Sequence, residues 1–525
     1  MATPLPPADA RAFRWTNPPA CPKLAPMNAL PSCMRPATPG DAGFFRDESR
    51  RSGTANFMAF PSTEGEVAAV LARARAESLP VTPQGARTGI TAGAVPRGGI
   101  AMDFSRMKRI LPAPPDPATG APRLLAGPGA TLAEIRAACP PGWFFSPDPT
   151  ETSASIGGMF ACNASGAMSF LYGPVRDSVA AARILLEDGS LLDLERGRDR
   201  LQGLALSLPS GPVELPGLPE RPRVKNAAGY YLRPGMDALD LFIGAEGTLG
   251  ILTAATLQLR PAPAERWALL AFPGDGDLAA AAVRALRGAF RGGEAPSARL
   301  AALEAFDARA MDFLRARTDD PVAHGAPAGR AALYAEFHAG SPTAAEEALL
   351  RASDLLEAAG TDPSSAIVAD TPALLERFKT FRHALPESVN ALLDERRCAV
   401  PSIVKLGSDM AVPDDRLGDV LRLYRTGLDA SGLEHVVFGH IGDNHLHINI
   451  LPRGEADMEA GRALFRTFAE SVVAWGGSLS AEHGIGKAKT DLLRRMHTPA
   501  ALGAMGRIRD ILSPRRLLNP GNLGI

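Results

Sequence analysis

The chain has 525 residues, 46% of them hydrophobic, and a formal net charge of -1. A chain of that length exceeds one hydrophobic core, so we expect two or three domains. The charge balance leaves no basic excess to neutralise phosphates, which argues against a nucleic-acid partner. Five scattered cysteines without a C-x-x-C pair argue against a disulfide framework and against an iron–sulfur site.

The first 54 residues predict an irregular lead-in that is rich in Pro and Ala and lacks the apolar core of a secretory signal. The longest apolar stretch, residues 241–259, contains Glu246 together with several Gly and Thr. This composition favours a buried strand–turn–strand over a membrane span. We therefore expect no transmembrane segment and a cytoplasmic protein that is at most peripheral to a membrane.

From residue 60 the pattern predicts a β-α-β unit, with a helix over residues 64–77 and a short strand over 79–83. Short strands and Gly-rich turns continue to about residue 261. We expect this first domain to cover residues 55–262.

From residue 266 strand-like runs alternate with amphipathic helices, which predicts an α+β second domain built on an antiparallel sheet. The predicted strands cover residues 268–272, 332–337, 366–368 and 402–405. The predicted helices cover residues 343–358, 372–395, 416–430 and 456–475. The second domain is expected at residues 263–475, and a C-terminal segment at 476–525 is expected to complete the functional site and return to the first domain.

A glycine-rich loop at residues 81–93 reads VTPQGARTGITAG. Consecutive backbone N–H groups without bulky side chains form a concave nest that suits a pyrophosphate. The loop is neither a Walker loop nor a dinucleotide fingerprint, and by itself it is equally consistent with an ordinary Gly-rich turn.

Two further small-residue stretches follow, SIGGMFACNASG at residues 155–166 and IGAEGTLGI at residues 243–251. The three segments, in this order, resemble the FAD-binding domain of the vanillyl-alcohol oxidase / para-cresol methylhydroxylase family over residues 55–262. The resemblance implies two α+β subdomains with FAD between them, and a pyrophosphate held by the first loop. Some members attach the flavin through a His in that loop, where this chain has Ala86 and Arg87, so noncovalent FAD is expected. The resemblance implies cofactor contacts from Pro83, Gly85, Ala86, Arg87, Thr88, Gly89, Pro147, Ile156, Gly157, Gly158, Asn163, Gly166, Tyr172, Glu246, Ile251 and Asn519.

Histidines are concentrated near the C-terminus, where five of the nine fall between residues 435 and 483. Residues 436–441 predict a strand, 442–444 a turn, and 445–450 a second strand of alternating character. Period-two alternation places His445, His447 and Asn449 on one face, and a hairpin would bring His440 across from it. Glu482 and His483 follow on another Gly-rich turn. Two histidines and a carboxylate are a common divalent-metal set with open positions, and the alternative is a surface hairpin with incidental histidines.

This region resembles the C-terminal part of the D-lactate and D-2-hydroxyglutarate dehydrogenases and the glycolate oxidase flavoprotein subunits of the same superfamily. Their G-H-x-G-D-G-N-x-H stretch corresponds to residues 439–447, and their S-A-E-H-G-x-G stretch to residues 480–486. The resemblance implies that His440, His447 and Glu482 bind one divalent metal, with zinc favoured over manganese or iron. It also implies that His483 is the catalytic base beside the substrate. Among the departures, Asn444 replaces a Gly and His445 replaces an Asn.

Two cations, Arg382 and Lys405, fall where this family binds its substrate, and a guanidinium can hold a carboxylate in bidentate fashion. Pro386 stands where the hydroxyglutarate enzymes carry a hydroxyl, which favours a monocarboxylate such as D-lactate. The expected activity is FAD-dependent oxidation of a small D-2-hydroxy acid by hydride transfer to the flavin.

Several alternatives remain open at this point. The substrate of the expected reaction could be D-2-hydroxyglutarate or glycolate, the chain could be a non-redox alkyl-transferring relative, or it could be a subunit that works only in a larger complex. No NAD fingerprint is present, so an external acceptor is expected: a quinone, a cytochrome or an electron-transfer protein. A homodimer is an open alternative for the oligomeric state.

Overall fold

The computed structural model describes residues 30–274, 276–291 and 297–525. The remaining part of the predicted lead-in, residues 1–29, lies outside the described residues. Two main sheets and two small two-stranded sheets form the N-terminal half, and a larger antiparallel sheet forms most of the C-terminal half. No helix in the described ranges combines the length and the apolar character that a membrane crossing needs.

The first sheet has the strand order β1-β2-β4-β3, with β4 parallel to both β2 and β3. Its elements are β1 (Met34–Pro36), β2 (Phe57–Ala59), α1 (Glu64–Glu77), β3 (Val81–Gln84) and β4 (Ile100–Asp103). Helix α1 has the predicted limits. Thr63 caps its start by accepting the Glu66 N–H, and Ser78 ends it in a left-handed conformation (φ 52°). Strand β1 lies within the segment predicted to be irregular, because three residues that include Pro36 carry no alternation and the strand depends on its antiparallel pairing with β2.

The second sheet has five antiparallel strands in the order β5-β6-β12-β8-β9. The strands of this region are β5 (Ile110–Ala113), β6 (Arg123–Ala126), β7 (Trp143–Phe144), β8 (Val179–Leu185), β9 (Leu191–Glu195), β10 (Ala205–Leu208), β11 (Gly211–Glu214), β12 (Ile251–Gln258) and β13 (Arg260–Pro261). Its helices are α2 (Leu132–Ala137), α3 (Ile156–Cys162), α4 (Ser169–Tyr172) and α5 (Leu239–Phe242). Side chains from the C-terminal end of the chain, including Ile485, Leu493 and Ile508, complete the core of this sheet.

The third sheet is antiparallel and has the order β17-β14-β16-β15-β20-β21-β18, with β19 paired to β21. Its strands are β14 (Glu265–Ala271), β15 (Ala298–Phe306), β16 (Ala332–Ala339), β17 (Ile367–Ala369), β18 (Leu406–Gly407), β19 (Met410–Ala411), β20 (His435–Gly439) and β21 (His445–Ile450). The helices from this point to the C-terminus are α6 (Gly276–Phe290), α7 (Ala308–Arg317), α8 (Pro321–Gly325), α9 (Pro342–Ala358), α10 (Pro372–Ala399), α11 (Leu417–Ser431), α12 (Glu455–Ala474), α13 (Thr490–Met496) and α14 (Pro499–Leu512).

Helices cover both faces of the third sheet. Along β14, Leu269 and Ala271 join the core beneath α6, α9, α11 and α12, whereas Ala268 and Leu270 join the core beneath α7, α8 and α10. This alternation follows from the period of two in a strand. The α+β architecture predicted for this half is confirmed.

One predicted strand is wrong. Residues 402–405 have no regular secondary structure, and strand pairing begins only at Leu406. Ile403 is buried but Val404 is exposed, so this apolar run does not lie in the sheet. A run of four residues is too short for its periodicity to separate a strand from a loop.

Candidate active site

Strands of all three sheets border a single cavity of about 880 Å³. The first sheet contributes the end of β3, the second contributes Ile184 and Ile251, and the third contributes Glu304, Phe438 and His447. This volume lies within the range typical of cofactor and ligand sites.

One wall of the cavity is the predicted glycine-rich loop packed against the start of α3. The Ala86 N–H donates to Ser155 Oγ at 3.1 Å. A Cβ on Gly85 would lie 2.1 Å from that same oxygen, and one on Gly157 would lie 2.9 Å from Pro128. Only glycine therefore allows these backbone segments to approach so closely. A Cβ on Gly89, in contrast, would meet no atom within 4 Å, so this part of the loop is open. The cradle of small residues and backbone N–H groups fits the pyrophosphate of FAD.

Most of the residues expected to contact the cofactor line this cavity. They are Pro83, Gly85, Ala86, Arg87, Thr88, Gly89, Gly157, Gly158, Glu246, Ile251 and Asn519. Two of them hold the base of the site together. The Glu246 carboxylate accepts the N–H groups of Ile485 at 2.6 Å and Gly486 at 2.8 Å, and Asn519 Nδ2 donates to the Glu246 carbonyl oxygen at 2.9 Å.

Five of the expected cofactor residues, Pro147, Ile156, Asn163, Gly166 and Tyr172, are not among the described residues that border the cavity. Ile156 is fully buried in the core of the second sheet, and Asn163 ends α3 with its Oδ1 accepting the Arg176 N–H. Gly166 packs against the Asp148 carbonyl, and the Tyr172 hydroxyl lies 2.6 Å from His338 Nδ1 in the third sheet. A loop motif locates a segment, but which side chains face the cavity depends on how that segment packs.

The predicted histidine hairpin also lines the cavity. Strands β20 and β21 pair antiparallel with Phe438 opposite His447, and Asn444 takes the left-handed turn position (φ 52°) that its type tolerates. The hairpin brings the rings of His440 and His447 to 5.9 Å, so the predicted juxtaposition is confirmed. His440 Nε2 lies 3.0 Å from Glu482 Oε1, and His447 Nε2 lies 3.6 Å from Glu482 Oε2.

Outer partners orient both imidazoles towards Glu482. His440 Nδ1 lies 2.6 Å from Glu304 Oε1, and His447 Nδ1 donates to the Ser408 carbonyl oxygen at 3.2 Å. In its neutral form with the proton on Nδ1, each ring can present an Nε2 lone pair to the site. Together with His445, these side chains have ligand atoms that lie within 4.8 Å of one another. Nitrogen and carboxylate donors with such outer partners fit a first-row divalent ion.

The charges around Glu482 are strongly coupled. Burial opposes the charged form of His440, but Glu304 and Glu482 outweigh it and raise its pKa to about 9. Burial likewise opposes the Glu482 carboxylate, but His440 and Lys225 hold its pKa well below the usual value. Lys225 Nζ lies 2.6 Å from Glu482 Oε1 and is itself buried.

Sequence reasoning did not select Lys225 or Glu304. Glu304 is the lone carboxylate in strand β15, whose other residues are apolar except Arg299, and this was a usable signal of a buried polar partner. Lys225 is separated from Glu482 by 257 residues and lies in a polar loop, so nothing local marks it.

His483 borders the cavity next to the cluster. Its ring stacks on that of His447 at 5.3 Å, and its Nδ1 lies 3.2 Å from Asp409 Oδ2 and 3.4 Å from Lys489 Nζ. Burial lowers its pKa to about 3, with Asp409 opposing the shift and Lys489 adding to it. Burial therefore favours the neutral form of the His483 imidazole. Asp409, which also accepts the backbone N–H of His483 at 3.1 Å, was not selected from the sequence.

Both predicted substrate cations border the cavity. Arg382 extends from α10, with Nη2 3.7 Å from Glu304 Oε2 and its guanidinium 4.9 Å from the centre of the Tyr334 ring. Lys405 Nζ lies 3.4 Å from Asn390 Oδ1 and has no carboxylate at ion-pair distance within the described ranges. The two cations thus differ, because Arg382 is already partly neutralised and Lys405 is not.

Comparisons with known proteins agree with this geometry. Residues 55–195 match the FAD binding domain family, and residues 263–523 match the family of FAD linked oxidases, C-terminal domain. The chain is 32% identical over 477 residues to a D-lactate dehydrogenase of Anaerostipes hadrus, covering 88% of each chain. It is 28% identical over 515 residues to a D-2-hydroxyglutarate dehydrogenase of Xanthomonas citri pv. viticola, covering 95% of this chain and 96% of the relative. It is 27% identical over 474 residues to the mitochondrial D-lactate dehydrogenase (cytochrome) of Arabidopsis thaliana, covering 89% and 73%.

Among solved structures, an alkyldihydroxyacetonephosphate synthase superposes with a TM-score of 0.62 at 15% identity, covering 94% of this chain and 83% of the other. This similarity shows a shared fold, which is the two-subdomain FAD-binding domain joined to an α+β domain that the sequence motifs indicated. The FAD binding domain match includes the glycine-rich loop, the C-terminal domain match includes the histidine hairpin, and the D-lactate dehydrogenase match covers 88% of the chain. The chain therefore belongs to the FAD-linked oxidase family, together with these D-lactate and D-2-hydroxyglutarate dehydrogenases.

Proposed function

We propose that this protein oxidises a small D-2-hydroxy acid, with D-lactate as the type substrate, to the corresponding 2-oxo acid. The observation that carries the proposal is that the glycine-rich loop, the histidine cluster and Arg382 line the same cavity. The Anaerostipes hadrus and Xanthomonas citri relatives, named for D-lactate and D-2-hydroxyglutarate, support this substrate class.

The glycine-rich wall is the proposed site of a noncovalent FAD. Gly85, Gly89, Gly157 and Gly158 would lie along the pyrophosphate, and Ala86–Arg87 offer no imidazole for covalent attachment. When bound, FAD supplies the acceptor for the hydride that leaves the substrate Cα, and a divalent ion supplies a Lewis acid at the substrate hydroxyl. His440, His447 and Glu482 would hold that ion, with zinc favoured over manganese or iron.

The protein's own side chains bind the substrate and manage its proton. Arg382 presents a guanidinium to the substrate carboxylate, and its place over the Tyr334 ring limits where that guanidinium can move. His483 accepts the proton that leaves the hydroxyl, and Asp409, whose Oδ2 lies 3.2 Å from Nδ1, positions the ring. Loss of that proton together with a hydride from Cα completes the two-electron oxidation.

The electrons would leave through an external acceptor of the quinone, cytochrome or electron-transfer-protein class. The Arabidopsis thaliana relative, whose name includes a cytochrome, supports this part of the proposal. We further propose that residues 55–262 form the FAD-binding domain, that residues 263–475 form the substrate domain, and that residues 476–525 complete the site.

D-2-hydroxyglutarate is the second candidate substrate, and one observation favours it. Lys405 and Asn390 border the same cavity as Arg382, and Lys405 has no carboxylate partner among the described residues. A second substrate carboxylate would supply that partner.

Anaerobic reduction of the flavin tests the proposal. The protein is mixed with D-lactate, L-lactate, glycolate or D-2-hydroxyglutarate, and bleaching of the visible flavin absorption is followed. We expect D-lactate to bleach the flavin and L-lactate to leave it oxidised. Absence of bleaching by any hydroxy acid would instead favour a non-redox enzyme.

Lys405→Gln separates the two substrates, because it should slow flavin reduction by D-2-hydroxyglutarate and leave flavin reduction by D-lactate unaffected. Acid precipitation should release the flavin into the supernatant.

A further inference from the structure

His445 is a buried side chain that the proposed function leaves without a role. Its side chain is 0% exposed, and Nε2 lies 3.1 Å from Asp409 Oδ1. Nδ1 has no hydrogen-bond partner among the described residues. Burial of a ring nitrogen without a partner is unfavourable, so Nδ1 calls for a ligand or a water.

The ring is held firmly in this position. His445 is the first residue of β21, its N–H donates to the His440 carbonyl at 3.2 Å, and its chain neighbour Asn444 is fixed by Arg287 at 2.8 Å. In this position the His445 ring nitrogens have no access to solvent water for hydrogen bonds.

The His445 ring is directed at the other ligands. Its centre lies 4.4 Å from that of His447 and 5.5 Å from that of His440. Its Nδ1 lies 3.8 Å from Glu482 Oε2, and the ligand atoms of the four side chains fall within 4.8 Å of one another. The Asp409 carboxylate beside Nε2 is the kind of outer partner that metal-binding imidazoles have.

Its position also excludes two other roles. His440, His447, Glu482 and His483 border the cavity, whereas His445 is not among its lining residues and lies behind them. A side chain in that position touches neither a substrate nor a flavin held in the cavity, so it is neither the proton acceptor nor a cofactor contact.

We propose that His445 is a fourth protein ligand of the divalent ion, through Nδ1, so that the site has three histidines and one glutamate. This inference rests on the metal site in the proposed function and deepens it. Four protein ligands fill a tetrahedral ion, whereas a six-coordinate ion keeps two positions for a hydroxyl and a carboxylate oxygen. The fourth protein ligand therefore changes the expected metal from zinc, which the three-ligand set favours, to a six-coordinate ion such as Mn²⁺.

Metal binding to the chelator-treated flavoprotein tests the assignment without relying on activity. Mn²⁺ affinity is measured by equilibrium dialysis for the parent, for His445→Asn and for the matched control His497→Asn. His497 also has a buried ring nitrogen without a partner among the described residues, but it is not one of the clustered ligands. We expect His445→Asn to weaken Mn²⁺ binding by about 10–100-fold or more, because loss of an outer partner alone has an effect of that size. His497→Asn should bind Mn²⁺ as the parent does.

Pulsed EPR of the Mn²⁺-loaded protein provides a second readout. The parent should show three coordinated nitrogens and His445→Asn two. FAD content and melting temperature report whether each variant folds, and His445→Gln replaces the first variant if it does not. Equal Mn²⁺ affinity in parent and variant, or two coordinated nitrogens in the parent, would overturn the fourth ligand while leaving the proposed function intact. A parent protein that binds no divalent ion would overturn the metal site and this inference together.

Discussion

Replacing Glu304 by Gln tests whether a carboxylate outside the ligand set controls the metal site. Glu304 Oε1 lies 2.6 Å from His440 Nδ1, and Oε2 lies 3.7 Å from Arg382 Nη2. Against the effect of burial, Glu304 and Glu482 raise the pKa of His440 to about 9. In the metal-free protein at pH 7, only about one His440 in a hundred is then neutral.

The raised pKa makes metal binding depend on pH. A metal ion must displace the His440 proton, which costs about 2.7 kcal/mol at pH 7. The cost disappears as pH rises through the folded-state pKa, so apparent affinity should rise about tenfold per pH unit from pH 7 to pH 9. Glu482, the proposed carboxylate ligand, adds no such cost, because its pKa is held well below the usual value.

Glu304→Gln should change both the slope and the limit of this dependence. With one carboxylate fewer, the pKa of His440 falls and the slope between pH 7 and pH 9 flattens. At pH 9.5, where proton competition is small in either protein, loss of the orienting charge should weaken binding about 10–100-fold. Dialysis against Mn²⁺ at pH 7.0, 8.0 and 9.5 measures both effects, with FAD content as the folding check. Glu387 is exposed on α10, so Glu387→Gln is a matched loss of one negative charge. It should leave the pH dependence and the affinity at pH 9.5 unchanged.

Two results would refute this reasoning. If the parent bound Mn²⁺ with the same affinity at pH 7 and pH 9, His440 would not hold a proton that the metal displaces. If Glu304→Gln kept the parental slope, Glu304 would not be the group that holds that proton in place.

Three further predictions concern the base, the cofactor loop and the metal. His483→Asn should retain FAD and metal yet slow flavin reduction in stopped flow by roughly 10²–10⁴-fold, and a near-parental rate would reject its role as proton acceptor. Gly85→Val should lower both FAD occupancy and the melting temperature of the apoprotein because of the contact with Ser155, whereas Gly89→Val should lower FAD occupancy alone. Strong chelation should abolish turnover and leave the flavin spectrum nearly intact, and a fully active metal-free preparation would contradict the metal site.

Local sequence was sufficient where short-range rules decide the structure. Helix α1 has a Thr cap at residue 63 and apolar residues at helical spacing that pack in the core of the first sheet. Its limits could therefore be predicted from the sequence. Strand β21 alternates polar and apolar residues, which placed His445 and His447 on one face and Leu446 in the core. Small residues in the Gly-rich loop likewise located one wall of the cavity.

Only the tertiary structure decided which side chains surround Glu482. Lys225 arrives from a loop 257 residues away, Glu304 from β15 and Asp409 from the turn before β19, and no spacing in the chain links them. The same limit applies to His445. Period two predicts that its ring shares a face with His447, but that face could have pointed to water. The His445 ring is buried instead, because the turn that carries Glu482 packs over the hairpin. Burial removes the water that would otherwise form hydrogen bonds to these imidazoles and stabilise their protonated forms.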